Sequence, residues 1–196
     1  SKAFRRAMAD RTYGMQCPHA ERAMQFLSEI GIAVQLAPGA SGFIEHVEIV
    51  SGGLHVDPRA PASAILHEAG HLAIVPTEFR HLLSGDLDAG MAQIFEHLDG
   101  MLLEPDSHLQ RAMLQTGDSE ATAWAFAAGR AIGLPDKLII QDDEYSGEGR
   151  FIRSSLAAGA YVGINGISHA GFCVRRATPY RPLPVYPALA YWLQHS

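Results

Sequence analysis

The sequence is poor in cysteine, in positive charge and in long apolar runs, and each shortage excludes a class of protein. Its 196 residues include only Cys17 and Cys173, which are too few for a disulfide framework and lack metal-ligand spacing. We therefore expect two free thiols in a reducing compartment. A net charge of −6 with 15 scattered Lys and Arg residues leaves no basic stripe for nucleic acid. No apolar run approaches the roughly 18 residues that a membrane-spanning helix requires.

The composition is that of one globular domain. Apolar residues make up 47% of the chain and charged residues 18%, and the length suits a single core. We expect one domain over residues 1–196, with a small basic arm over 1–16 and a loop, helix and proline-rich tail over 136–196. No secretion signal is recognisable near the first residue, so we expect a cytoplasmic protein without a membrane partner. The sequence carries no signal for the oligomeric state.

The first third of the chain predicts a helix followed by a small antiparallel sheet. Pro18 suits the first position of a helix, and apolar residues recur at helical spacing until Gly31 ends the run. Residues 32–36 and 43–50 have strand patterns, and residues 54–56 follow a Ser-Gly-Gly turn as the second half of a hairpin.

The rest of the chain is mainly helical in pattern, so the predicted fold class is α+β. Residues 136–150 are polar and glycine-bearing and predict a surface loop, and residues 177–187 predict an extended, proline-punctuated tail before a short terminal helix. The other predicted helices cover 61–75, 87–103, 106–115, 118–132 and 151–164, and Pro76 ends the first of them.

The residues most informative about chemistry are His67-Glu68-Ala69-Gly70-His71, within the 61–75 helix. Histidines four residues apart on a helix lie on one face, one turn apart, so both imidazoles can bind a single zinc ion. Glu68 projects beside that ion, where its carboxylate can take a proton from a metal-activated water. Gly70 costs about 1 kcal/mol of helix propensity relative to Ala. Its presence predicts a neighbouring element packed closely against the motif.

A catalytic zinc with two histidine ligands needs one more protein ligand. The extended metzincin pattern would place a third histidine at position 77, but Thr77 stands there and excludes that subclass. Glu120, in the first turn of the apolar 118–132 helix, is the preferred candidate. Asp118, which has the position of an N-cap, is the second. The remaining candidates are His81, His97 and His108.

A helix with the motif, followed by a helix that opens with Glu120, resembles the gluzincin branch of zincin metallopeptidases. Over roughly residues 17–132 the chain is most similar to the small ImmA/IrrE-like group. The resemblance implies a zincin-like fold, with a small antiparallel sheet packed against a helical bundle. It also implies a Zn²⁺ ion held by His67, His71 and Glu120, Glu68 as general base, and a protein or peptide substrate.

Two further observations concern this resemblance. Larger gluzincins carry an aspartate four residues after the ligand glutamate, where this chain has Trp124, so no residue is assigned to orient the histidines. The sequence of the motif, His-Glu-Ala-Gly-His, also resembles that of the peptidase domain of membrane-bound AAA proteases, in which the third metal ligand is a distant aspartate.

A peptidase also needs a donor for the oxyanion of the tetrahedral intermediate. His169, in the glycine-bearing segment 165–171, is the candidate, and Tyr145 and Tyr161 are the alternatives. The leading hypothesis is thus a zinc-dependent metallopeptidase. The second is a zincin fold that acts as a regulatory or partner-binding module with a non-catalytic metal site, which Trp124 and the open choice of third ligand favour.

Overall fold

The computed structural model describes residues 14–195, so most of the expected basic arm lies outside the described residues. The described part contains eight α-helices and one three-stranded sheet, which confirms the α+β class. The helices are α1 (Pro18–Ile30), α2 (Ala62–Ile74), α3 (Leu87–Asp99), α4 (His108–Met113), α5 (Asp118–Ala131), α6 (Asp136–Ile139), α7 (Gly149–Ala157) and α8 (Val162–His169). The strands are β1 (Val34–Leu36), β2 (Val47–Val50) and β3 (Gly53–Val56). None of the described helices has the length and apolar character needed to span a membrane.

The sheet has the order β1-β3-β2 and is mixed, not antiparallel as predicted. β2 and β3 form the predicted antiparallel hairpin, whose turn residues Ser51 and Gly52 both have positive φ angles, 46° and 78°. β1 pairs in parallel with β3. After β1, residues 37–46 lead to β2 at the opposite edge of the sheet. β1 and its neighbour β3 are therefore not joined by a hairpin, which would require them to be antiparallel.

Helix α2, which carries the motif, lies at the centre of the fold. It packs on α5, on α1 and on the sheet, and nearly all of its side chains are buried. Pro76 follows the last turn, as predicted, and the buried guanidinium of Arg80 binds the carbonyl groups left free there. Its Nε donates to the Leu72 carbonyl at 2.6 Å and its Nη2 to the Val75 carbonyl at 3.2 Å. A cation at this end also complements the helix dipole.

Helices α2 and α5 are in close contact at Gly70. A Cβ atom at position 70 would lie 2.5 Å from the Ala121 carbonyl oxygen, which is too short for any side chain. The close neighbour predicted from Gly70 is therefore helix α5. This contact brings the first turn of α5 beside the two motif histidines.

Helix α8 packs against the same end of α5. A Cβ atom at Gly163 would overlap the Ser119 carbonyl, and one at Gly166 would overlap the Glu120 side chain. Residues 165–169 of the glycine-bearing segment, which include His169, thus lie in a helix that supports α5.

Three further predictions about secondary structure need correction. The predicted helix over 151–164 is divided into α7 and α8 at Gly159, whose φ of 68° is incompatible with a continuing helix. The predicted loop over 136–150 contains α6 and a 3₁₀ turn at Tyr145–Gly147. The predicted terminal helix is absent from the described residues. The backbone of Gln194 instead forms hydrogen bonds with α2 and with the segment that follows α2. Its N–H donates to the Ala73 carbonyl at 2.8 Å, and its carbonyl accepts from the Thr77 N–H at 3.1 Å.

We expect Gly70→Ala to destabilise the protein. Overpacking costs about 1–3 kcal/mol, and the upper part of that range applies because the added Cβ meets backbone atoms of Ala121. The better helix propensity of alanine recovers about 1 kcal/mol, which leaves a net loss of about 1–2 kcal/mol. The free energy of unfolding in urea measures the difference. The matched control is Gly100→Ala at the C-cap of α3, where φ is −74° and the nearest atom to an added Cβ is 3.4 Å away. A Gly70→Ala protein as stable as the control would contradict this account of the α2–α5 contact.

Candidate metal centre

Three side chains from α2 and α5 place a metal-binding atom close to one another, and we call them the donor triad: His67, His71 and Asp118. The two Nε2 atoms lie 3.2 Å apart. Asp118 Oδ1 lies 3.0 Å from His67 Nε2 and 3.6 Å from His71 Nε2. In the part of the chain that the structure describes, this is the only group of three His, Cys, Asp or Glu side chains arranged to hold a metal ion.

The spacing of the donor triad fits a zinc ion. Bonds of about 2.0–2.1 Å at tetrahedral angles separate neighbouring donor atoms by roughly 3.3–3.4 Å. The three observed separations bracket this value. Two imidazole nitrogens and one carboxylate oxygen are also a donor set that zinc accepts, and three protein donors leave a fourth position for water or substrate.

The two imidazoles are largely buried, whereas the Asp118 side chain is 65% exposed, so the centre opens to solvent on the α5 side. Hydrogen bonds from His67 and His71 hold the pKa of the Asp118 carboxyl well below its usual range. Asp118 is therefore ionised at neutral pH, as a metal ligand must be. Its place in the first turn of α5 favours the same charge state through the helix dipole.

Glu68 is buried on α2 and lines the same cleft as His71. Burial raises the pKa of the Glu68 carboxyl, and the nearby Asp118 charge adds to this, while His71 acts in the opposite direction. A carboxyl group with a raised pKa exchanges protons more readily near neutral pH than an ordinary glutamate does.

The structure brings Asp118, and not Glu120, to the two histidines. Two residues along a helix are a rotation of about 200°, so these two side chains leave α5 on opposite sides. The Glu120 carboxylate lies against Gly166 and Gly117. Asp118 is the first residue of α5, and the N-cap is Gly117 rather than Asp118.

The way α5 packs on α2 explains why Asp118, and not Glu120, reaches the two histidines. On α5, Ala121 lies against Gly70 of α2, and Ala125 lines a cleft together with Ala64 and His67 of α2. Asp118 precedes these two alanines by three and seven positions. This spacing places all three side chains on one helical face, which excludes Glu120. The prediction of Glu120 rested on residue type and was wrong, because residues 121–129 are all buried and their pattern does not show which face of α5 packs on α2.

The other candidate ligands lie elsewhere. His97 contacts the Phe79 ring, His108 stacks near His195, and His81 is exposed in the 3₁₀ turn Arg80–Leu82. None of the three belongs to the triad.

Of the candidate oxyanion donors, the structure brings only Tyr145 to the centre. Its hydroxyl lies 3.1 Å from His67 Nδ1, and burial holds its pKa above the ordinary value, so it is neutral. His169 is exposed at the end of α8, and Tyr161 is the N-cap residue of that helix. Neither lines the two clefts beside the triad.

Those two clefts flank the donor triad, and Asp118 and Phe43 line both of them. The first, about 630 Å³, contains Glu68 and His71, and we call it the Glu68 cleft. The second, about 610 Å³, contains His67 and Tyr145, and we call it the Tyr145 cleft. The apolar lining of the Glu68 cleft is Val75, Leu83, Leu87 and Met91, and that of the Tyr145 cleft is Ile44, Ala64, Ala125, Ile139 and Ile140.

No protein-family model, curated protein or solved structure matches this chain. The α+β class therefore follows from its own helices and sheet, and the candidate centre from its own three donors.

We expect Asp118→Ala to weaken zinc binding strongly and Glu120→Ala to leave it near the wild-type value. Loss of a residue that only orients a ligand already costs 10–100-fold in affinity, so loss of a ligand should cost roughly 100-fold or more. Competition with a chromophoric chelator measures both dissociation constants. The assignment is overturned if Glu120→Ala is the variant that loses zinc.

Proposed function

We propose that this protein is a zinc-dependent metallopeptidase in which His67, His71 and Asp118 hold the ion. The observation that carries the proposal is the buried carboxylate of Glu68 beside three convergent donors, at a cleft large enough for a peptide. The sequence resemblance to zincins supports it. An aspartate as third ligand agrees with the resemblance to the peptidase domain of AAA proteases.

In this proposal, zinc and Glu68 act together in amide hydrolysis. When bound, zinc supplies Lewis acidity, which polarises the substrate carbonyl and acidifies the attacking water. Glu68 accepts a proton from that water and later delivers it to the nitrogen of the departing amine. The environment of Glu68 suits this exchange, because burial favours the protonated form that must exist between the two transfers.

The two clefts favour an endopeptidase. A chain that crosses the centre can continue into the Glu68 cleft in one direction and into the Tyr145 cleft in the other. A site closed on one side would admit only a chain end. Since both clefts have apolar linings, we expect apolar side chains on both sides of the cleaved bond.

We expect Glu68→Gln to retain zinc and to lose hydrolysis. The amide cannot accept the proton, so the rate should fall by about 10²–10⁴-fold or more. The assay is cleavage of a mixture of internally quenched peptides with apolar residues around the cut, with zinc content measured on the same samples. Glu120→Gln is the control.

A Glu68→Gln protein as active as the control contradicts the proposed mechanism. A wild-type protein that binds zinc tightly and cleaves none of the peptides would favour the alternative, a partner-binding module with a non-catalytic metal site.

Phe43 offers a test of how substrate is held. Its side chain is 95% exposed, yet it lines both clefts. We expect Phe43→Ala to change stability by less than about 0.5 kcal/mol. Loss of an aromatic contact of about 1 kcal/mol should raise KM roughly fivefold with little change in kcat.

The matched control is Phe151→Ala on α7, where the side chain is 72% exposed and lines neither cleft. Steady-state kinetics and thermal melting on both variants separate binding from folding. Equal KM values for the two variants would remove Phe43 from the substrate site.

A further inference from the structure

The imidazole of His67 is held from both of its ring nitrogens. Nε2 faces the other two members of the donor triad, and the Tyr145 hydroxyl lies 3.1 Å from Nδ1. The same hydroxyl lies 3.0 Å from Oγ1 of Thr122, which is fully buried on α5. Thr122 is four residues after Asp118, so both side chains lie on the same face of that helix, one turn apart.

We infer that Tyr145 is a positioning residue that orients His67 for metal binding, an inference that rests on the proposed zinc site. A neutral imidazole that binds metal through Nε2 must carry its proton on Nδ1. That N–H donates to the Tyr145 oxygen, and the Tyr145 O–H donates to Thr122 Oγ1. The His67 N–H and the Tyr145 O–H each have an acceptor in this arrangement, so the tautomer and the ring orientation of His67 are both specified.

The position of Tyr145 is also set by contacts that do not involve His67. Tyr145 and Ser146 have left-handed backbone conformations, with φ angles of 55° and 59°, which are unfavourable for residues other than glycine. Hydrogen bonds around Glu144 maintain this turn: its carbonyl accepts from the Gly147 N–H at 3.1 Å and its carboxylate from the Gln141 N–H at 2.8 Å. The Tyr145 ring meets the His67 ring edge to face at 6.0 Å.

Trp124, which occupies the position where larger gluzincins have an aspartate, does not serve this purpose. Its Nε1–H donates to the Trp192 carbonyl at 2.9 Å, and an indole has no acceptor for an imidazole N–H. Tyr145 fills the role from a different part of the chain. Through Thr122 it also connects a ligand on α2 to the helix that supplies Asp118.

The test compares Tyr145→Phe with Tyr161→Phe. The Tyr161 hydroxyl also interacts with Thr122, and with Ser119, so the control loses the same group beside the same threonine without touching His67. We expect Tyr145→Phe to weaken zinc binding by roughly 10–100-fold in chelator competition, as is usual for the partner of a histidine ligand. Tyr161→Phe should bind zinc as the wild type does.

A second readout separates positioning from a general effect on folding. In the zinc-loaded wild type, the Nδ1–H proton of His67 should be observable by NMR because Tyr145 accepts it and slows its exchange. It should be lost in Tyr145→Phe and retained in Tyr161→Phe. Urea unfolding of the metal-free proteins confirms that each variant is folded before its zinc affinity is compared.

The outcomes are distinct. Unchanged zinc affinity and an unchanged Nδ1–H signal in Tyr145→Phe would overturn the role of Tyr145, as would equal losses in both variants. Zinc binding is measured without substrate, so a wild type that binds zinc but cleaves no peptide contradicts the proposed function alone. A wild type that binds no zinc contradicts both.

Discussion

The candidate centre depends on one contact, the approach of α5 to α2 at Gly70. With no side chain at that position, the Ala121 carbonyl comes within 2.5 Å of the place where a Cβ would be. The contact brings the first turn of α5 to the motif, and so brings Asp118 to His67 and His71. A larger residue at position 70 would move the two helices apart and increase the distance from Asp118 to the two histidines. The close packing of the two helices offsets the helix-propensity cost of Gly70 and also brings the three donors together.

The chain after α8 forms hydrogen bonds to the same two helices. Trp124 on α5 donates to the Trp192 carbonyl, and Gln194 bonds to the end of α2 through its N–H and the Ala73 carbonyl. Tyr186 adds a hydrogen bond from its hydroxyl to the Ala123 carbonyl at 2.9 Å. The tail thus bonds to both helices that carry the donor triad.

Local patterns predicted the parts of this structure that local interactions determine. The α2 helix, its end at Pro76 and the need for space at Gly70 were readable, because capping, proline and glycine act within a few residues. The parallel pairing of β1 and the choice between Asp118 and Glu120 were not, because both depend on which elements pack together. Tyr145 is separated from His67 by 78 residues and was found only as an alternative oxyanion donor.

The most direct test of the account is the coordination of zinc in the reconstituted protein, read from anomalous diffraction at the zinc edge. We expect one ion bound by Nε2 of His67, Nε2 of His71 and a carboxylate oxygen of Asp118, at about 2.0–2.2 Å. A zinc ion bound through Glu120, or at a place that does not include both motif histidines, would contradict the central claim.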